Sequence, residues 1–164
     1  VFVTLPGPPF FSLENKGKAK TEGLEVSGHL GPWKGVKLAS SYTFLDSRDD
    51  AGAALLRRPR HKGNVTVTYV RDRLSLFTEV NYVGGQRDTF DFVGADGRVR
   101  AGALPRYHTV SLSGTYDLFR DRGPVKKLQI FARAENLFDT TYEEIKGFPA
   151  AGVTAFAGVR VFLF

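Results

Sequence analysis

The segment Thr109-Val110-Ser111-Leu112-Ser113-Gly114-Thr115-Tyr116-Asp117-Leu118 decides the fold. One parity, Thr109, Ser111, Ser113, Thr115 and Asp117, is polar throughout, while the other, Val110, Leu112, Gly114, Tyr116 and Leu118, is apolar or small. A strand sends alternate side chains to opposite faces, whereas a helix would scatter both sets around its circumference. Outward from this stretch the same pattern recurs. Leu74, Leu76, Thr78, Val80 and Tyr82 alternate with Ser75, Phe77, Glu79 and Asn81, and Val65, Val67 and Tyr69 alternate with Asn64, Thr66 and Thr68. Weaker alternations run from Leu24 to Leu30, from Val36 to Phe44, and from Leu128 to Ala134 against Gln129, Arg133 and Glu135.

These patterns predict an all-β chain of about seven strands, roughly 21–30, 35–46, 60–70, 73–84, 106–118, 126–138 and 152–163, with residues 1–4 as the tail of a possible eighth. The gaps between them are Gly31-Pro32-Trp33-Lys34, 47–59, Arg71-Asp72, 85–105, 119–125 and 139–151. Long connections thus gather at one end of the sheet and shorter ones at the other. Alternation alone fits a soluble sandwich as well as a membrane barrel. Sorted loops, and an apolar face made of small and aromatic residues, favour an antiparallel up-and-down transmembrane β-barrel segment. About ten residues rising roughly 3.3 Å each and tilted near 40° span about 25 Å, the height of an outer-membrane apolar band.

Composition narrows the function classes. The chain has 164 residues, no Cys and no Met, with 23 Lys plus Arg against 17 Asp plus Glu, a net charge of +6. Without Cys there is no disulfide framework, thiolate metal site or thiol nucleophile. The absence of Met from a chain opening Val1-Phe2-Val3 leads to the expectation that it was processed or cut from a longer protein. No basic-then-apolar leader and no run of 18 apolar residues is present, which removes an ordinary membrane helix but leaves membrane strands open.

At its C-terminal end the sequence resembles the TonB-dependent outer-membrane receptors. Glu135-Asn136-Leu137-Phe138-Asp139-Thr140-Thr141-Tyr142, then Gly147-Phe148-Pro149 and Gly152 to Phe164, is similar to that family's "ENLFD-x-x-Y" segment, final loop and last strand ending in an aromatic. Asn15-Lys16-Gly17-Lys18-Ala19 with Gly23-Leu24-Glu25, and Tyr42-Thr43-Phe44-Leu45-Asp46 with Arg58-Pro59-Arg60-His61-Lys62, resemble two further family stretches. The style is nearest to the cobalamin and siderophore receptors. The resemblance implies a barrel of about 22 strands around a plug. Residues 1–164 would then be the C-terminal part of that barrel with the plug absent. It further implies the outer membrane of a Gram-negative-type bacterium and uptake of a metal chelate, siderophore or cobalamin-like nutrient. Energy would come from TonB and its inner-membrane partners acting through the plug. The barrel-assembly machinery would read the terminal aromatics Phe162 and Phe164. Those aromatics share a parity with Phe156 and Arg160, opposite the apolar set Val153 to Leu163, so either Phe164 is one residue beyond the usual end or a bulge shifts the register; the former is preferred. Asn136 is expected to satisfy strand-end backbone groups as a turn forms at Asp139, with Gly147, Pro149 and Gly152 shaping the final loop.

Candidate ligand contacts lie in the long loops: Arg57, Arg58 and Arg60, which with His61 and Lys62 form a basic cluster, and Tyr142, Glu143 and Phe148 in the last loop. Arginines on a rim suit lipopolysaccharide phosphates or an anionic chelate, the plain alternative being a solvated edge. Nucleic acid is not expected, because the charge is dispersed over both strand ends and the aromatics sit on the apolar parity. Asp46, Asp49 and Asp50, or Asp88, Asp91 and Asp96, lack calcium-loop spacing, and His29, His61 and His108 lack zinc spacing, so neither metal nor cofactor is expected. His108 shares parity with neither Ser111 nor Ser113, so no hydrolase triad is visible and no enzyme is expected. The alternatives to a receptor are a passive porin-like small barrel, if residues 1–4 open an eighth strand, and a soluble β-sandwich adhesion domain.

Overall fold

A computed structural model describes residues 2–4, 11–13, 17–93 and 99–163. Seven long strands form one continuous antiparallel sheet: β3 (Ala19–Trp33), β4 (Val36–Asp49), β5 (His61–Arg71), β6 (Leu74–Val83), β9 (Tyr107–Arg122), β10 (Val125–Glu135) and β13 (Thr154–Leu163). They stand in the order β13-β10-β9-β6-β5-β4-β3, each beside its neighbour in this succession. Three short hairpins complete the set: β1 (Phe2–Thr4) with β2 (Phe11–Leu13), β7 (Gln86–Val93) with β8 (Val99–Leu104), and β11 (Glu143–Ile145) with β12 (Phe148–Pro149). A sandwich would divide the long strands between two layers, and they are not divided. Among the described residues Phe2–Thr4 pairs with Phe11–Leu13 and not with the large sheet, which gives no support to an eighth wall strand of a small closed barrel.

Loop sorting is sharper than the sequence implies. At one end the connections are the two-residue turns Lys34-Gly35, Asp72-Arg73 and Gly123-Pro124. The apparently medium gap at 119–125 is nearly all strand, because β9 continues to Arg122 past a bulge at Leu118, where Leu128 pairs with Phe119 but Gln129 with Asp117. Lys34 and Gly35 both have positive φ, 48° and 85°, the left-handed turn geometry whose twist matches that of a hairpin. The other end carries loops 50–60, 84–106 and 136–153.

Register turns the alternation into two surfaces. Leu30, Leu38, Val67, Thr78, Leu112, Ala134 and Ala155 lie in one cross-strand row, with Gly28-Ser40-Val65-Val80-Val110 beside it. These face away from the polar side and are largely exposed; Leu30 is 69% exposed and Leu112 41%. Aromatics flank the band, with Tyr42, Phe44 and Tyr82 towards the long loops and Trp33, Tyr69 and Tyr116 towards the tight turns. An exposed apolar band between two aromatic belts is the outer surface of a membrane barrel, where lipid takes the place of a protein core.

The opposite face is polar and hydrogen-bonded across strands. The Asn64 amide donates to Glu79 Oε1 at 3.0 Å and to Asn81 Oδ1 at 2.7 Å. Near the tight turns Gln129 donates to Asp117 Oδ1 at 2.7 Å and accepts from Arg160 at 3.0 Å. Arg160 also lies over Phe131, 5.1 Å from its centroid. A Cβ on Gly158 would come within 2.7 Å of the Phe131 ring, so that ring lies where only a glycine leaves room. The break in register beside the last strand falls on β10, between Val125 and Lys127, and β13 keeps its alternation through Leu163. Phe156 and Phe162 therefore stand on the polar face, and Lys127 covers Phe162 at 4.2 Å. Phe164 lies outside the described residues.

Candidate functional site

The three long loops meet in one rim. Asp88 on β7 is wholly buried; its Oδ1 accepts from Arg57 Nε at 2.8 Å and its Oδ2 from the backbone N–H of Lys146 at 2.8 Å. Arg57 itself has a positive φ of 56°, and its backbone N–H donates to the Arg87 carbonyl at 2.7 Å. Gln86 donates to the Glu144 carbonyl at 3.1 Å, and Arg87 reaches the Ala54 carbonyl at 3.4 Å. Each loop thus donates to, or accepts from, the β7–β8 hairpin.

The three arginines of the basic cluster have different surroundings. Arg57 is engaged by Asp88. Arg60 donates to Asp46 Oδ1 at 2.7 Å, while Arg48 takes the other oxygen of that carboxylate at 2.8 Å. Arg58 is exposed and, among the described residues, makes no hydrogen bond or ion pair. His61 turns to the apolar face, where its Nδ1 is 2.7 Å from the Tyr42 hydroxyl and its ring packs against Phe44. Sequence proximity groups these side chains, and their partners draw them apart: Arg57 to Asp88, Arg60 to Asp46 and His61 to Tyr42.

In the last loop Asn136 explains the resemblance motif physically. Its side chain is buried, accepts from the Thr140 N–H at 2.9 Å, and donates to the carbonyls of Thr140 at 3.0 Å and Ala151 at 3.2 Å. Asp139 Oδ1 accepts from the Val153 N–H at 2.9 Å, so the loop is closed at its base from both sides. A Cβ on Gly152 would approach that carboxylate to 2.5 Å. Gly147, with φ of 86°, turns the β11–β12 hairpin, and Pro149 pairs opposite Glu143.

Tyr142, Glu143 and Phe148 therefore sit on a fixed loop. The Tyr142 ring stacks on Tyr107 with centroids 4.1 Å apart and planes 20° apart. Burial, then the charges of Glu144 and Glu135, push the Tyr142 phenol above its ordinary pKa, so it remains a neutral donor. Glu143 pairs with Lys146 at 3.3 Å. Phe148 is 72% exposed on the rim, opposite Ile145 in the β11–β12 hairpin. Beneath Tyr142 a polar recess of about 250 Å³ opens on the inner wall, lined by Thr109, Ser111, Arg133, Glu135 and Thr154, with Arg133 and Glu135 paired at 2.7 Å. Neutral phenol, hydroxyls and a paired cation and anion can hydrogen-bond a polar ligand from several directions.

Asp88, Tyr107 and the Arg133–Glu135 pair are site residues that sequence reasoning did not pick out as such. Asp88 stood only in an acidic set with the wrong spacing for calcium. Its partners come from two loops far away in sequence, which no local pattern reports. Among the described residues no group of three acids or histidines could hold a metal ion. His108 falls on the apolar face and Ser111 on the polar one, so they do not meet.

A family model described as TonB dependent receptor-like, beta-barrel matches residues 1–137. Among solved structures, the pyoverdine outer-membrane receptor FpvA of Pseudomonas aeruginosa PAO1, bound to pyoverdine, is 21% identical with a TM-score of 0.76; the match covers 96% of this chain and 24% of that one. The ferric-catecholate import receptor Fiu of E. coli K12 is 21% identical with a TM-score of 0.69, over 98% of this chain and 23% of that one. At this identity the likeness is one of fold, and the chain spans about a quarter of the length of each. Sheet topology, paired aromatic belts, a hydrogen-bonded polar inner face and the family match agree: the chain belongs to the TonB-dependent receptor β-barrel family and forms a stretch of wall in a Gram-negative outer membrane.

Proposed function

We propose that this chain is the C-terminal wall and outer rim of a receptor that takes up a siderophore–iron chelate, powered through TonB. The observation that carries the proposal is Tyr142, stacked on Tyr107 above a polar inner-wall recess, with the exposed Phe148 and Arg58 on the same rim. Aromatic faces with a cation and hydroxyls beside them suit a bulky, oxygen-rich and often anionic chelate. The iron-chelate names of the similar structures support the siderophore reading, and a cobalamin-like nutrient has no such support. Glu143 takes part through its pair with Lys146, which holds the loop carrying Tyr142.

The remaining parts of the receptor follow from the wall. Strands β3 and β13 each have one edge that pairs with nothing among the described residues, and unpaired backbone in lipid costs several kcal/mol per group. Further strands of a larger barrel would cover those edges, and a plug would fill the polar side and meet TonB. In this reading Arg58, with Arg57 and Arg60 beside it, would meet lipopolysaccharide phosphates or the anionic chelate, and Phe162 with Phe164 would serve the barrel-assembly machinery.

The test uses the full-length receptor and a panel of ferric hydroxamate and ferric tris-catecholate chelates. Tyr142→Ala and Phe148→Ala should each weaken binding about 5- to 10-fold, the loss of one aromatic contact of roughly 1 kcal/mol. No binding of any chelate in the panel, together with unchanged growth of the deletion strain under iron limitation, would contradict the proposal.

A further inference from the structure

We propose that Asp88 is a positioning residue: it joins the three outer loops and sets Tyr142 in its ligand-facing place. The inference rests on the rim reading above. Asp88 touches two loops with two different oxygens, Arg57 Nε on Oδ1 and the Lys146 N–H on Oδ2. Its side chain is wholly buried at the edge of a barrel whose other loop residues are largely exposed. Leu104, 2% exposed and paired with Gln86 across the same hairpin, is the one fully buried apolar side chain among the described residues. The rim therefore has a small core of its own, and Asp88 is its charged member.

From Asp88 the connection to Tyr142 is short. Lys146 lies at the end of the segment that begins at Tyr142, and two further bonds hold that segment to the same hairpin and to β9. Gln86 donates to the Glu144 carbonyl, and the Tyr107 hydroxyl donates to Glu144 Oε1 at 3.3 Å. Tyr107 is the ring on which Tyr142 stacks. A carboxylate is the group this position needs. Arg57 Nε and the Lys146 N–H are both donors, and a carboxylate offers two acceptor oxygens, whereas an amide offers one oxygen and turns an N–H towards the other donor. Asp88→Asn is therefore a near-isosteric change that breaks one of the two connections and leaves the Arg57 charge uncompensated.

The experiment places spin labels at Ala51→Cys and Thr141→Cys in the folded full-length receptor, with any other cysteines removed, and measures their distance distribution with Asp or Asn at 88. In parallel, binding of the ferric hydroxamate or tris-catecholate that the receptor takes best is measured for Asp88→Asn, Tyr142→Ala and the double variant. The expected result is a distribution that broadens in Asp88→Asn, a loss of affinity of about threefold or more that does not exceed that of Tyr142→Ala, and a double variant little worse than Tyr142→Ala alone. An unchanged distribution would overturn the proposal. Broadening with full additivity, or with binding unchanged while Tyr142→Ala weakens it, would equally overturn a positioning role. If Tyr142→Ala has no effect either, the rim reading fails, and the positioning role falls with it. Heat-modifiable mobility on unheated gels should be unchanged, which separates loop placement from barrel folding.

Discussion

Replacing Asn136 by alanine tests how the last loop is held. The side chain makes three hydrogen bonds, with the Thr140 N–H and with the carbonyls of Thr140 and Ala151. At about 0.5–1.5 kcal/mol net for each, their loss amounts to roughly 1.5–4.5 kcal/mol. Asn136 also has a φ of 50°, in the left-handed region that asparagine tolerates and alanine resists by about 1 kcal/mol. A local opening cost lowered by about 3 kcal/mol raises the open population more than a hundredfold. When opening is fast relative to cleavage, the proteolysis rate follows that population. The assay is limited proteolysis of the folded receptor, reading cleavage within residues 136–153. Asn136→Ala should be cut on the order of a hundredfold faster, and Asn136→Gly, which removes the bonds but not the backbone compatibility, somewhat less. Cleavage within about threefold of the parent in both variants would show that the three bonds hold nothing that water does not hold as well.

Two further outcomes follow from the faces of the wall. Leu112→Arg, in the middle of the apolar band, should cost about 2–4 kcal/mol in a folding titration into lipid. Ser111→Arg, one residue away on the inner face and opposite Glu79, should cost much less; equal costs would contradict the assignment of faces. Gly158→Val should destabilise by about 1–3 kcal/mol through collision with Phe131, and Phe131→Ala should relieve most of that cost; no relief would place the strain elsewhere.

Much of this architecture was legible in the sequence because a strand with one face in lipid and one in a polar lumen must alternate, and a one-residue slip would exchange the faces. Val110 to Tyr116 and Leu74 to Tyr82 therefore read directly as wall. The bulge at Leu118 was not legible, and the 119–125 segment looked like a connection when it is mostly strand. The β7–β8 hairpin was hidden inside a long loop, since a short outer hairpin has no lipid face to impose alternation. At the site, Tyr142 and Phe148 stood out as aromatics in a loop. Asp88 did not, because its partners Arg57 and Lys146 are 31 and 58 residues away in the chain. The basic cluster shows the converse limit: adjacency groups Arg57, Arg58 and Arg60, and it does not report that Asp88 and Asp46 engage two of them.

One face of this sheet meets lipid and the other a polar interior, and β9 is the strand on which to measure it. The chain has no Cys, so single spin-labelled cysteines can be scanned from Thr109 to Tyr116 in the receptor reconstituted in lipid, with any cysteine outside this segment removed. Collision rates with oxygen, which partitions into the bilayer, and with a water-soluble nickel chelate should alternate with a period of two. Val110, Leu112, Gly114 and Tyr116 should be oxygen-accessible, and Ser111, Ser113 and Thr115 should not. Oxygen accessibility without that alternation, or nickel accessibility at the even positions, would contradict the account.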